Sequence, residues 1–250
     1  QTHRVNETKK RVILVSIDGL RPEFYLDKSY PAPTLQKIAS ESFRVKALTP
    51  VFPSVTYPNH TTLITGVTPA EHGILSNSRF NWEEGPTTEW YWDHKYIKVK
   101  TIMDKLEEKG FKTGSIHWPV TLNANITYLM PEIFPLKGWH EGSAWELVRQ
   151  NDSNDIVDEI TKAKNLKNFT NQKESDAWAT EAAKYLLEVM KPKLTLLHLT
   201  YLDKLQHKTG RESEQTHATI KLIDEHMASL YKSVDKDTCL MIVGDHGFID

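Results

Sequence analysis

A single cysteine, Cys239, occurs among 250 residues, so no intrachain disulfide can staple this chain. It sits in the apolar run CLMIV, where it reads as a small buried hydrophobe and not as a nucleophile. Charge of one sign is also scarce. The formal net charge is −2 with no long basic run, which excludes a nucleic-acid groove held by bulk electrostatics but allows one small bound nucleotide. No hydrophobic stretch is long enough to form a transmembrane segment, and no internal repeat is evident. The chain begins with Gln1 instead of Met, as after removal of a signal peptide or an expression tag. We therefore expect an exported protein: periplasmic, secreted or at the cell surface. The Asn-x-Ser/Thr triplets at Asn6, Asn59, Asn125, Asn151 and Asn168 would then be glycosylation acceptors in a host that uses them.

What is present is ordinary globular material, 39% hydrophobic and 26% charged with seven Trp. One α/β domain over residues 1–250 is the favoured size reading, two small domains the other. Arg11 to Ile17 is a β-branched run typical of a buried parallel strand. A helix is predicted from Thr34 to Phe43, and a second opens at Pro58 and stops at Gly66. Phe80 to Tyr96 holds Trp82, Trp90, Tyr91 and Trp92 without a clear period. It reads as a loop whose rings cap the core, the alternative being a wall for a substrate's organic group. A helix from Thr101 to Lys109 leads past Gly110 to a strand from Thr113 to His117. Residues 139–172, rich in Asn, Lys and Asp, read as a surface insertion. Helix Ser175–Met190, strand Leu194–Thr200, helix Ser213–Ser233 and strand Thr238–Val243 follow. This alternation predicts a mostly parallel central sheet flanked by helices and joined by right-handed crossovers. Asp250 lies seven residues past the last predicted strand, so we expect the N-terminal part of a longer domain.

Three strands end on groups that suit a metal ion. Asp18 closes VILVSID, Asp203 and His207 follow LTLLHLTYL, and Asp245 with His246 follows CLMIVG. In α/β proteins ligand sites gather at strand C-termini, so these distant residues can converge. Carboxylates with neutral imidazoles suit zinc or a similar divalent ion. Each segment also has a plain reading. Asp18 could cap a helix at a βα turn. Asp203 and His207, four apart and so on one helix face, could be a solvated polar turn. The Asp245-His246 pair between Gly244 and Gly247 is harder to explain as capping. Thr56, where an extended segment gives way to a helix, is either an N-cap or a nucleophile beside metal and helix N-terminal amides. Asn77 is either a turn residue or an amide donor to a charged oxygen.

The segments VSIDGLRPEF, FPSVTYPNHTTLITGVTPAEHGILSN and VGDHGF, with the shorter DKLQH, resemble the alkaline phosphatase superfamily. The resemblance is strongest to its nucleotide pyrophosphatase/phosphodiesterase branch. It implies an alkaline-phosphatase-like catalytic domain that hydrolyses phosphodiester or pyrophosphate bonds through a phosphoryl-threonine intermediate. It also implies two divalent ions, zinc by preference. By matching position, Asp18, Asp245 and His246 would bind one ion and Asp203 with His207 the other. Thr56 would be the nucleophile, and Asn77 would hold a non-bridging phosphoryl oxygen. The expected partner is a small phosphodiester or nucleotide.

The chain departs from the branch at three places. The second ion's third ligand in the branch is a histidine well downstream of DHG, beyond Asp250. Gln206 stands where the branch has Gly, a pairing with His207 similar to that of phosphonate-cleaving relatives. His198 replaces the tyrosine that stacks on a nucleotide base; Tyr57 is expected to offer one aromatic face instead. Two alternatives stay open: a phosphomonoesterase or phosphonate hydrolase of the same superfamily, and an inactive binding fragment.

Overall fold

The apolar run RVILVSI forms β1 (Arg11–Ile17) in the computed structural model, which describes residues 9–83, 85–135 and 143–249. Helices α1 (Glu23–Leu26), α2 (Pro33–Glu41), α3 (Thr56–Thr65) and α4 (Pro69–His72) follow. A hairpin of β2 (Ser78–Asn81) and β3 (Gly85–Trp90) precedes α5 (Ile102–Glu108) and β4 (Thr113–Ile116). Then come β5 (Tyr128–Met130), α6 (Ser143–Gln150), α7 (Ile156–Ala163) and α8 (Gln172–Tyr185), the last ending in a π-helical turn. The chain finishes with β6 (Leu194–Leu199), α9 (Tyr201–Thr209), α10 (Glu214–Tyr231) and β7 (Thr238–Gly244).

Five strands form one sheet in the order β5-β4-β6-β1-β7, every pairing parallel. The expected mostly parallel sheet flanked by helices is therefore what forms. Side chains alternate across a strand, and β1 shows it. Ile13, Val15 and Ile17 enter the larger core with α8 and α10, while Val12 and Leu14 pack on Met103 and Trp118 on the other face. Register then decides where the polar ends fall. Ile17 pairs with Leu199 on one side and Gly244 on the other, so β1, β6 and β7 end level. A Cβ on Gly244 would lie 2.5 Å from the Leu20 carbonyl oxygen, so only glycine lets the end of β7 close onto the turn after β1.

Several expectations change. The stretch expected as a surface insertion contains α6 and α7, and Ala144, Trp145, Val148, Ile156, Val157 and Ile160 enter the main core. Residues 139–142 lie outside the described residues. The polar composition concealed an apolar stripe on each short helix. The aromatic stretch is partly a hairpin: Trp90, Tyr91, Trp92 and Tyr96 pack around Tyr57, Ile74 and Val120, as a core cap should, whereas Phe80 and Trp82 stand in solvent. Cys239 is exposed, not buried, because β7 is an edge strand among the described residues and its side chains alternate in exposure. No helix among the described residues is long and apolar enough to cross a membrane.

If α7 is a core element, Ile160→Ala should lower the unfolding free energy by about 2–5 kcal/mol. Urea denaturation checks this, and a loss below about 0.5 kcal/mol would restore the surface reading.

Candidate active site

Asp18, Thr200 and Asp245 are the first residues beyond three adjacent strands, so the level strand ends bring their segments together. Gly19 turns the chain away with φ near +70°, a conformation that favours glycine. Its N–H donates to Asp245 Oδ1 over 3.1 Å, and the His246 N–H donates to the same oxygen over 2.9 Å. The β1 and β7 ends are thus tied at the site itself.

Thr56 is the first residue of α3, after the extended Val55. Its Oγ1 lies 3.4 Å from Asp18 Oδ2 and 3.4 Å from His246 Nε2. One turn on, His60 Nδ1 donates to the Thr56 carbonyl over 2.8 Å, and the Trp118 indole donates to the His60 carbonyl. The start of α3 is thereby locked against β4's outgoing loop.

α9 delivers Asp203 and His207. The buried Asp176 accepts from the Thr200 and Tyr201 N–H groups, each over 2.9 Å, and so fixes where α9 begins. Candidate ligand atoms of Asp18, Asp203 and His246 lie within 4.8 Å of one another. Asp245, expected with Asp18 and His246, stands outside this trio, and so does His207. The His207 Nε2 is 3.5 Å from Asp203 Oδ2, its ring meets Phe248 edge-on, and most of it is exposed.

The electrostatics point to a cation. Burial opposes charge on Asp18, yet hydrogen bonds from His198 and His246 hold its carboxyl far below the usual range. Burial, then the neighbouring Asp18 charge, push Asp203 up to about 6 and Asp245 well above its ordinary value. Burial also disfavours charge on His246, but its bond to Asp18 and the Asp245 charge lift it to about 10. Burial and the adjacent His198 depress His60, so its 3.7 Å approach to Asp245 is no ion pair. Meanwhile Asp203 Oδ1 is buried and accepts no hydrogen bond, and Asp18 Oδ1 and Asp245 Oδ2 share one partner, His246 Nε2, at 3.1 and 3.3 Å. Three carboxylates around one imidazole are costly unless further positive charge meets them. Zinc takes carboxylate oxygen and imidazole nitrogen as ligands, and Asp18, Asp203 and His246 offer both kinds. The donor set fits a divalent ion.

The remaining predicted residues divide. Asn77 sits by α3, its Oδ1 accepting the Tyr57 N–H over 2.8 Å. Tyr57 does not supply the expected aromatic face. It is 1% exposed with its ring edge-on to Trp90, because the first turn of α3 points it into the core. Asn59 is buried and bonded to Val51 and Val55, so it is not an available glycosylation acceptor. Sequence reasoning missed His60, whose spacing from Thr56 was a faint signal, and Glu132, which had none and lies 3.2 Å from His198 Nδ1.

A parallel sheet with a hydroxyl and convergent carboxylates at its C-terminal edge defines an α/β scaffold with a polar site at its strand ends, and comparison supplies the family. The model for type I phosphodiesterase/nucleotide pyrophosphatase matches residues 12–250, and the chain belongs to that family. Ectonucleotide pyrophosphatase/phosphodiesterase family member 7 of Mus musculus is 26% identical over 254 residues, covering 96% of this chain and 50% of the relative. Human family member 5 is 34% identical over 125 residues, 48% of this chain and 26% of the relative. The solved structure of human family member 5 aligns with a TM-score of 0.65 at 24% identity, covering 95% of this chain and 57% of that one. Phosphonoacetate hydrolase of Sinorhizobium meliloti aligns with a TM-score of 0.70 at 21% identity, covering 96% and 57%. The chain spans about half the length of the full-length relatives it matches.

Charge crowding gives a pH-dependent stability in the metal-free protein. Asp203 has a folded value near 6 against an ordinary 3.8, so its ionisation disfavours the folded state. That cost is absent below about pH 4 and complete above about pH 6. Metal-free Asp203→Asn should therefore melt above the parent at pH 8, the difference shrinking as pH falls to 4. Calorimetric melting across this range checks it, and a variant melting below the parent at pH 8 contradicts it.

Proposed function

We propose that this protein is a metal-dependent hydrolase of phosphodiester or pyrophosphate bonds, with Thr56 as nucleophile. The observation that carries the reading is the position of Thr56 Oγ1, 3.4 Å from both Asp18 and His246 at the opening of α3. Family membership supports the reaction class. Asp18, Asp245 and His246 would hold one zinc ion, and Asp203 with His207 would contribute to a second. When bound, such ions supply Lewis acidity to the attacking and leaving oxygens and neutralise phosphoryl charge.

The chain's own residues account for the rest. Thr56 Oγ1 directs its proton toward Asp18 Oδ2 and forms a bond to phosphorus as the bond to the leaving oxygen breaks. Water then cleaves the phosphoryl-threonine, returning the hydroxyl. Asn77 is oriented by the Tyr57 N–H at its Oδ1, which leaves its Nδ2 to donate to a non-bridging phosphoryl oxygen. Helix N-terminal amides of α3 add favourable dipoles there.

Relatives' names support a nucleotide-containing substrate, among them a bis(5'-adenosyl)-triphosphatase of Xenopus laevis. A murine family member 5 structure is titled as an inactive threonine-to-alanine variant in complex with AMP. The prefix "ecto" in several names supports an exported protein. A second reading, phosphonate or phosphomonoester cleavage, draws on Gln206 and His198 and on the phosphonoacetate hydrolase neighbour.

Bis-p-nitrophenyl phosphate should turn over faster than p-nitrophenyl phosphate, with the activity lost to a chelator and restored by zinc. The reverse preference would favour the second reading. Thr56→Ala should lose at least about 10³-fold in kcat with an unchanged melting profile, and Thr56→Ser should keep measurable turnover. An Ala variant working at the parent rate removes Thr56 as nucleophile.

A further inference from the structure

A buried polar chain that the proposed reaction does not use reaches Asp18 from β5 and β6. His198 on β6 is fully buried, and Glu132, two residues past β5, is nearly so. His198 Nδ1 faces two acceptors, the His117 carbonyl at 3.0 Å and Glu132 Oε1 at 3.2 Å. Its Nε2 faces a third, Asp18 Oδ2, at 3.1 Å. A ring with acceptors at both nitrogens donates from both, so a carboxylate–imidazole–carboxylate chain crosses from β5 through β6 to β1.

The two oxygens of Asp18 are therefore unequal. Oδ2 is taken by His198 and approached by Thr56, whereas Oδ1 faces His246 Nε2, a candidate metal ligand, at 3.1 Å. A carboxylate with neither oxygen held can rotate or bind an ion through both oxygens. Here one oxygen is engaged and the other is presented.

We propose that Glu132 and His198 form a positioning pair that fixes Asp18 so that Oδ1 faces the cation. The inference deepens the metal-dependent reading above and rests on it. The plain alternative is that His198 fills space in the core and Glu132 balances its charge. The two differ in what they do to metal affinity. Partners that orient a metal ligand typically change affinity or activity by about 10–100-fold when lost, whereas a space-filling pair changes only the stability of the metal-free fold.

Zinc titration by calorimetry of the metal-free parent, His198→Leu and Glu132→Gln separates them. Glu132→Gln removes the carboxylate charge that faces Nδ1 at nearly the same volume, so it decides the matter if His198→Leu leaves Glu132 unpaired and fails to fold. Each folded variant should bind zinc about 10–100-fold more weakly, gain less melting temperature from zinc than the parent does, and lose kcat more than it raises KM. Parent-like zinc affinity in Glu132→Gln, whatever its metal-free melting temperature, overturns the positioning role and leaves the proposed function standing. A parent that takes up no zinc overturns the proposed function, and this inference with it.

Discussion

Two carboxylates at the ends of adjacent parallel strands, Asp18 and Asp245, and a third on the helix that follows β6, Asp203, are held closer together than their charges favour, and most of the structure around the site serves that placement. The register of β1 between β6 and β7 sets it, since one residue on each flank pairs with Ile17. A slip of one residue would turn every side chain to the opposite face and send Asp18 away from Asp245. Long apolar strands hold that register because their burial on both faces is worth far more than the repulsion at their ends. The cost is visible in the raised carboxyls of Asp203 and Asp245 and in the unbonded, buried Asp203 Oδ1.

The opposing side of the site is α3, which is unusual for a buried helix. Asn59, His60 and Thr61 are all buried, and each is bonded to backbone: Asn59 to Val51 and Val55, His60 to the Thr56 carbonyl, Thr61 to the Tyr57 carbonyl. Bonds of this kind rigidify the segment, and among these side-chain atoms only His60 Nε2 stays buried without a partner. The result is a helix start that cannot drift, with Thr56 at its tip. Positioning of this kind supplies much of what a nucleophile needs before any chemistry begins.

How much of this could be read from the chain depends on whether a residue acts through its own segment. Asp18, Asp203 and Asp245 each follow an apolar run, so a charged group after a strand announced itself, and the structure brings all three to one sheet edge. Thr56 was legible from the helix start that Pro58 and Gly66 bracket. Glu132 was not, because its partner His198 lies on a different strand and only the β5-β4-β6 order brings them together. α6 and α7 were hidden by the polar residues on their outer faces. Tyr57 was misread for a simpler reason: adjacency to Thr56 in sequence says nothing about direction, since consecutive residues on a helix point about 100° apart.

The same inward orientation bears on substrate choice. Gln206 and His198 were the two sequence features that favoured a phosphonate over a diester. Gln206 is buried and its Nε2 donates to the Gly19 carbonyl over 2.9 Å, while His198 spans Glu132 and Asp18. A Cβ on Gly19 would lie 2.8 Å from Gln206 Nε2 and 3.2 Å from Asp203 Oδ1, so α9 presses directly on the turn that carries Asp18. Both sets of donors are engaged within the protein. On the proposed reading, whatever they contribute to selectivity would pass through the placement of Asp18 and Asp203, that is, through the spacing of the ligand atoms. Recognition of an organic leaving group would then fall to residues beyond the sheet edge, and the hairpin that continues from Asn77 into the exposed Phe80 and Trp82 is the nearest such element along the chain. Discrimination in this fold would be divided, with the strand ends governing the phosphoryl group and the loops above them governing what is attached to it.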